Sequence, residues 1–299
     1  MSQPPIFLKA MARTGGTLFV TMLDAHPQIA MSYEIYQDKL LNDKGEPISP
    51  VWAIDVLKKI SNPDAMKWVS RIPDKNLKTF IARARRGGIE VIEILKELEL
   101  FYKKGSNFND LNGRLDFIQR LMELKMYKFG KQYWGGKVNV DPCEIHRRYS
   151  DAFFFAMVRD GRDVLASRLN VGNFQTNATK CALEWREGIL DFRNFMQHSG
   201  ARAMEIHYET LVCDPETVMK AVCKFIGIDY FPAILNFHKQ DLEFFKNPHG
   251  HLSYKQIIHG INTESLGRWK HNLSNDDLHI FEGINRDLLI DYGYLPKSN

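Results

Sequence analysis

The stretch IFLKAMARTGGTLFVTMLDAHP, Ile6–Pro27, sets the fold. An apolar run, Ile6–Ala12, breaks into Arg13-Thr14-Gly15-Gly16-Thr17, and a helical pattern over Thr17–Ala25 comes next. Three other short runs behave alike: Ile29–Tyr33, Ala152–Val158 (AFFFAMV) and Ala203–His207 (AMEIH). Each is apolar along most of its length rather than alternating, as expected of strands buried on both faces of a parallel sheet. Helical patterns recur over Asp163–Leu169, Ala182–Gln197, Glu216–Ile226 and Asp276–Leu289. Strands alternating with helices predict a three-layer α/β fold around a central parallel sheet.

Between Ser49 and Lys131 the pattern changes. VWAIDVLKKI, GIEVIEILKELELFYKKG and LNGRLDFIQRLMELKMYKFG carry apolar residues at helical spacing, with breaks at Gly87-Gly88 and Lys103–Gly113. Residues 49–131 are therefore expected to be a helical insertion within one domain spanning 1–299, adding core and shaping an acceptor pocket. The 299 residues carry 40 basic and 36 acidic side chains, a formal charge of +4. That mild excess suits a local anion site better than a nucleic-acid-coating surface. The longest apolar run, Ala152–Val158, falls far short of the ~20 residues that span a bilayer. Cys143, Cys181, Cys213 and Cys223 show no CxxC spacing. Reduced thiols, a soluble cytoplasmic protein and no membrane partner are the expectations; a homodimer is left open.

In an open parallel sheet, ligands lie beyond the carboxyl ends of the strands. The residues just after each run are therefore informative. Arg13–Thr17 come after the first, Glu34 after the second, and Arg159-Asp160-Gly161-Arg162-Asp163, with Ser167 beyond, after the third. Tyr208 and Glu209 come after the fourth. Glycines let several N–H groups point at one anion, and the next helix adds its positive end. Thr14 and Thr17 offer hydroxyls, and Arg13 a charged donor. A nucleotide-hydrolysing loop ends in Gly-Lys-Ser/Thr, but this one ends in Gly-Gly-Thr. ATP hydrolysis is therefore disfavoured. Arg159 and Ser167, eight residues apart, suit a second phosphate, with Asp160 and Asp163 as local turn and helix-start residues.

Together these segments resemble the sulfotransferases that use 3′-phosphoadenosine 5′-phosphosulfate (PAPS). RTGGTLFVTMLDAHPQIAMSYE is similar to the family's 5′-phosphosulfate loop and MVRDGRDVLASRL to its 3′-phosphate motif. HYETLVCDPETVMKAVCKFIGI and SLGRWKHNLSNDDLHIFEGINRDLLIDYGY resemble its adenine-side and C-terminal segments. The first segment looks most like the tyrosylprotein branch and its bacterial relatives. The resemblance implies a P-loop-type fold and a donor site of Arg13, Thr14, Gly15, Gly16, Thr17, Arg159, Ser167, Tyr208 and Arg268. It also implies Glu34 as base, Lys137 (in WGGKVNVDP) on the bridging oxygen, PAP as product and no metal. Two departures stand out: Gly16 replaces a common threonine, and VNVDP blurs the register of Lys137. The expected acceptor is a hydroxyl, or an amine, of a small polar metabolite or carbohydrate. A protein tyrosine is the alternative, and a kinase-like P-loop enzyme or a non-catalytic nucleotide-binding module are rivals from other classes.

Other residues read as structural. His26 suits a helix end. His249 and His251 have no carboxylate or cysteine at ligand spacing, so a metal is not expected there. Trp185 reads as core, Trp269 as packing beside Arg268, and Arg83–Gly88 (RARRGG) as a solvated helix end, with an acidic acceptor as the other use for it.

Overall fold

The computed structural model describes residues 3–60, 71–171, 174–248 and 250–297. Strand β1 is Ile6–Ala10, helix α1 Gly16–Asp24 and strand β2 Ile29–Ser32. Helices α2 (Pro50–Ile60), α3 (Lys75–Arg86), α4 (Val91–Lys103) and α5 (Leu111–Lys128) come next. Strand β3 is Tyr133–Val138, followed by α6 (Pro142–Arg148), β4 (Phe153–Val158) and α7 (Gly161–Val171). Helix α8 is Ala178–His198, β5 Arg202–His207, α9 Tyr208–Cys213 and α10 Pro215–Ile226, and the long C-terminal helix α11 is Asn275–Asp291. The five strands form one sheet in the order β2-β3-β1-β4-β5.

Local chemistry explains these boundaries. Helix α10 has a complete set of start and stop signals. Asp214 accepts from Thr217 N at its N-cap, Pro215 opens it, and Gly227 ends it in the left-handed conformation at φ 85°. Helix α5 starts on Asp110, which accepts from Gly113 N, and α4 on a capping box between Glu90 and Glu93. Strand β4 is buried at every position, as its unbroken FFFAMV run requires.

Strand β3 is the element that patterning misses. Glycine weakens strand propensity, and YWGGKV carries two. Close approach explains them: a Cβ on Gly135 would stand 2.1 Å from the backbone Ile6 O, and one on Gly136 2.2 Å from the Ser32 hydroxyl. In consequence β2 pairs in parallel with β3, Ile29 opposite Tyr133 through Ser32 opposite Gly136, and is not the neighbour of β1.

Contacts divide the chain into two compact units built from interleaved segments. The first comprises Met1–Phe7, Thr17–Val140 and Phe231–Gly260. It contains β2, β3 and the helices α2–α5, whose core is a cluster of rings: Phe101 lies 5.2 Å from Phe108 and 5.4 Å from Phe117. The second comprises Leu8–Gly16, Asp141–Tyr230 and Ile261–Asn299. Within it β4 and β5 pair in parallel from Phe153–Arg202 to Val158–His207. Its core joins Val158 and Leu165 to Trp185 on α8 and Phe281 and Leu288 on α11.

Candidate active site

In the second unit, three guanidinium groups gather at the ends of β1 and β4. Arg13 takes a left-handed backbone at φ 76°, and Gly15 follows at φ 96°. The loop closes on itself through Thr14, whose Oγ1 donates to Met11 O at 2.8 Å. The Thr14 hydroxyl hydrogen, expected to face a ligand, is thus committed to the loop here. Arg13 Nε donates to Ser167 Oγ at 2.8 Å. Arg159 donates to Arg13 O at 3.0 Å and Ser265 O at 2.5 Å, and lies 4.4 Å over the Tyr208 ring. The Tyr208 hydroxyl and Ser265 Oγ are 2.6 Å apart.

Burial, followed by the charges of Arg159 and Arg268, lowers the Arg13 pKa. The buried Nε atoms of Arg159 and Arg268 have no hydrogen-bond partner among the described residues. Buried donors are normally satisfied, so orphaned ones on converging cations fit an anion.

Asp163 does more than start a helix, which corrects its sequence assignment. Its carboxylate accepts from Gly267 N (2.9 Å) and Trp269 N (3.0 Å), bracketing Arg268, and pairs with Arg159 at 3.6 Å. Asp160 has the local role expected of it, binding Arg162 N and the Arg162 guanidinium. Trp185 is core as expected, yet its Nε1 also donates to Arg159 O at 2.9 Å. Trp269 packs its ring 4.0 Å from the Arg162 guanidinium.

Gly15 gives a direct test of this packing. A Cβ there would meet Tyr208 Cδ2 at 2.3 Å, and the backbone is left-handed. Gly15→Ala should cost about 1–2 kcal/mol for the backbone and a further ~1–3 kcal/mol for displacing the ring. Gly45 has a similar φ of 80° but open space around it, so Gly45→Ala measures the backbone part alone. Denaturant unfolding of both variants checks this, and equal losses would remove the Tyr208 contact.

The first unit holds Glu34 and Lys137. Glu34 follows β2 at φ 60°; it and Arg13 are the two non-glycine residues with positive φ among the described residues. Such backbone strain concentrates where function fixes a side chain. Lys137 Nζ, at the end of β3, donates to Glu34 Oε1 at 3.0 Å, which settles its place beside this carboxylate. On the other side, Oε2 lies 3.9 Å from Arg83, 4.0 Å from Arg86 and 3.9 Å from His251 Nε2. Arg83 also donates to Glu34 O at 3.0 Å and lies 5.0 Å from the Tyr36 ring centre. Burial pushes the Glu34 pKa up, but Lys137, His251 and Arg83 outweigh it and hold it at about 2. Burial likewise depresses Lys137, and its partners Tyr36 and Glu34 more than reverse this.

The RARRGG segment is therefore not a solvated helix end. Arg85 and Arg86 are buried, and Arg83 and Arg86 face Glu34. Their three-residue spacing on α3 puts them on one helix face, a signal that sequence alone carried. His251 Nδ1 accepts from Ser253 N at 3.1 Å; His249 lies outside the described residues. His26, at the end of α1, uses Nδ1 to accept from Gln28 N at 3.1 Å.

Long-range pairing fixes the strand that delivers Glu34. Asp24 accepts from Met31 N at 2.8 Å, and Lys125 Nζ bonds both Asp24 oxygens (2.8 and 2.9 Å) and Met31 O. Lys131 adds a bond to Ile29 O at 2.8 Å. Asp24 and Lys125 are fully buried, and breaking such a pair costs about 3–5 kcal/mol. No group of three or more His, Cys, Asp or Glu with metal-holding geometry occurs among the described residues.

The fold defines the class: an α/β protein of P-loop type with a central parallel sheet. The model of the sulfotransferase family matches residues 142–232. The chain is 24% identical to protein-tyrosine sulfotransferase 2 of Gallus gallus over 99% of its own length and 71% of that protein's. It is 22% identical to protein-tyrosine sulfotransferase 1 of Danio rerio, over 99% and 74%. Two solved structures share its fold. They are the sulfotransferase domains of the Synechococcus PCC 7002 olefin synthase (TM-score 0.57, 18% identity, covering 96% of this chain and 97% of that one) and of the curacin biosynthetic pathway (0.58, 16%, 96% and 98%). The chain is thus similar to sulfotransferases, with protein-tyrosine sulfotransferases among its relatives.

Proposed function

We propose that the protein transfers the sulfuryl group of PAPS to a tyrosine hydroxyl in an acidic peptide or protein segment. The observation that carries this reading is the charge around Glu34: Lys137, Arg83 and Arg86 surround a single carboxylate. Three fixed cations against one anion favour an acceptor that brings negative charge of its own. Both relatives are named for protein tyrosine, which favours this acceptor over the small polar metabolite or carbohydrate expected from the sequence.

The donor fits the second unit. Converging Arg13, Arg159 and Arg268, two of them with orphaned Nε atoms, suit a ligand with separated anionic groups. Arg13, Gly15, Gly16 and Thr17 would hold the 5′ end, with Thr14 closing the loop around it. Arg159, Ser167 and Arg268 would hold the 3′-phosphate, with Tyr208 beside the adenine. PAPS supplies a sulfuryl group already activated on a phosphate leaving group. Glu34 takes the acceptor proton, and Lys137 beside it stabilises charge on the departing oxygen. A carboxylate with a pKa of about 2 is a weak base. It suffices because the hydroxyl becomes strongly acidic only as its oxygen bonds to sulfur.

Two measurements test this. PAP should raise the melting temperature, and the rise should persist in EDTA because guanidinium groups supply the positive charge; ATP, without a 3′-phosphate, should do much less. With labelled PAPS, a tyrosine peptide with acidic flanks should turn over about tenfold or more faster than a neutral one, the scale of one charge pair. ATP with magnesium matching PAP would sink the donor assignment. Small sugars or alcohols outpacing every tyrosine peptide would sink the acceptor.

A further inference from the structure

We propose that Glu209 and Tyr294 are positioning residues for Arg159, so that the C-terminal turn sets the affinity for the nucleotide. The proposal rests on the assignment of Arg159 to a nucleotide phosphate.

The end of β4 is held from several directions. Trp185 fixes Arg159 O, and Asp160 N donates to Glu209 Oε1 at 2.9 Å. The other Glu209 oxygen accepts from the Tyr294 hydroxyl at 2.9 Å. Tyr294 is also gripped through its backbone, since Arg162 Nη2 donates to Tyr294 O at 2.8 Å while binding Asp160 Oδ2 at the same distance. Arg162 further pairs with Glu282 on α11 at 2.7 Å. One residue near the C-terminus thus bonds, by hydroxyl and by carbonyl, the two side chains that hold Asp160. The turn itself is tied down by Tyr294 N donating to Leu289 O at 2.7 Å.

Glu209 is the centre of this latch. Burial raises its pKa, opposed by its hydrogen bonds to Asp160 and Tyr294 and by the charge of Arg159. Its two hydrogen bonds join the end of β4 to the turn that follows α11. A carboxylate kept in a burying environment by neutral donors constrains geometry, because losing either donor leaves an acceptor poorly satisfied. Displacing Asp160 N displaces the adjoining Arg159, whose guanidinium lies over Tyr208 with its buried Nε left without a hydrogen-bond partner.

The test is PAP affinity by calorimetry on the 299-residue chain, with melting temperature and acceptor KM on the same samples. Glu209→Ala should weaken PAP about tenfold, near the scale of one hydrogen bond to a charged group, and Tyr294→Phe about threefold, the scale of an ordinary net hydrogen bond. Glu209→Gln, which keeps an acceptor for Asp160 N, should stay within about twofold of wild type, and acceptor KM should not change in any variant. A fall in melting temperature with PAP affinity unchanged would mean the latch serves stability alone and would overturn the proposal. If Glu209→Ala does not fold, Tyr294→Phe decides by the same criterion. Wild type failing to bind PAP would instead overturn the donor assignment beneath it.

Discussion

Glu34→Gln is expected to lower turnover by about 10²–10⁴-fold, the usual cost of losing a general base, while PAP affinity stays near wild type. Glutamine keeps the size of the side chain and an oxygen for Lys137 Nζ, which sits 3.0 Å from Oε1. It removes the proton acceptor and the negative charge facing Arg83, Arg86 and Lys137. Stability should fall as well, in a pH-dependent way. The Glu34 pKa drops from 4.5 to about 2 on folding. Its contribution, on the order of 3 kcal/mol, is therefore present above pH 4.5 and lost as pH falls through about 2. The gap in unfolding free energy between wild type and Glu34→Gln should accordingly be widest at neutral pH and narrow below pH 4.5. For the same reason, no acid limb near pH 4.5 should come from Glu34 in the rate profile. Near-normal turnover in the variant would remove Glu34 as base and turn attention to His251. Loss of PAP binding together with turnover would make Glu34 structural.

Arg159→Ala carries the next largest effect. A charged hydrogen bond to a phosphate contributes about 1.5–3 kcal/mol, so PAP should bind roughly 10- to 150-fold more weakly. Arg159 also bonds Arg13 O and Ser265 O, so a plain loss of affinity would not separate contact from scaffolding. Adenosine 5′-phosphate separates them, because it has no 3′-phosphate. It should lose little in the variant where PAP loses much; equal losses for both would reduce Arg159 to a bonded strand end. Ser167→Ala should do less, since Ser167 Oγ is already engaged by Arg13 Nε.

Much of this molecule was legible along the chain. The apolar runs at Ile6, Ile29, Phe153 and Ala203 became parallel strands, and the segment after Ser49 became helices α2–α5. These features are short-range: burial on two faces demands an unbroken apolar run, and helix ends demand Asp214-Pro215 at one end and Gly227 at the other. The loop after β1 and the arginine after β4 were legible for a related reason. A glycine turn and an arginine at a strand end act through their own backbone and immediate neighbours.

What the sequence could not disclose is set by residues far apart in the chain. Strand β3 was hidden because Gly135 and Gly136 answer to Ile6 and Ser32, not to their neighbours in sequence. The charge state of Glu34 depends on Lys137, 103 positions away, and on Arg83 and Arg86 of α3, which patterning assigned to solvent. The strand delivering Glu34 is pinned by Lys125 through Asp24, and the strand end delivering Arg159 by Tyr294 through Glu209. The sequence alone determined which elements form and which motifs adjoin them, because propensity, capping and burial act within a few residues. Only the tertiary structure decided which cations surround which carboxylate, because electrostatic coupling depends on distance in space.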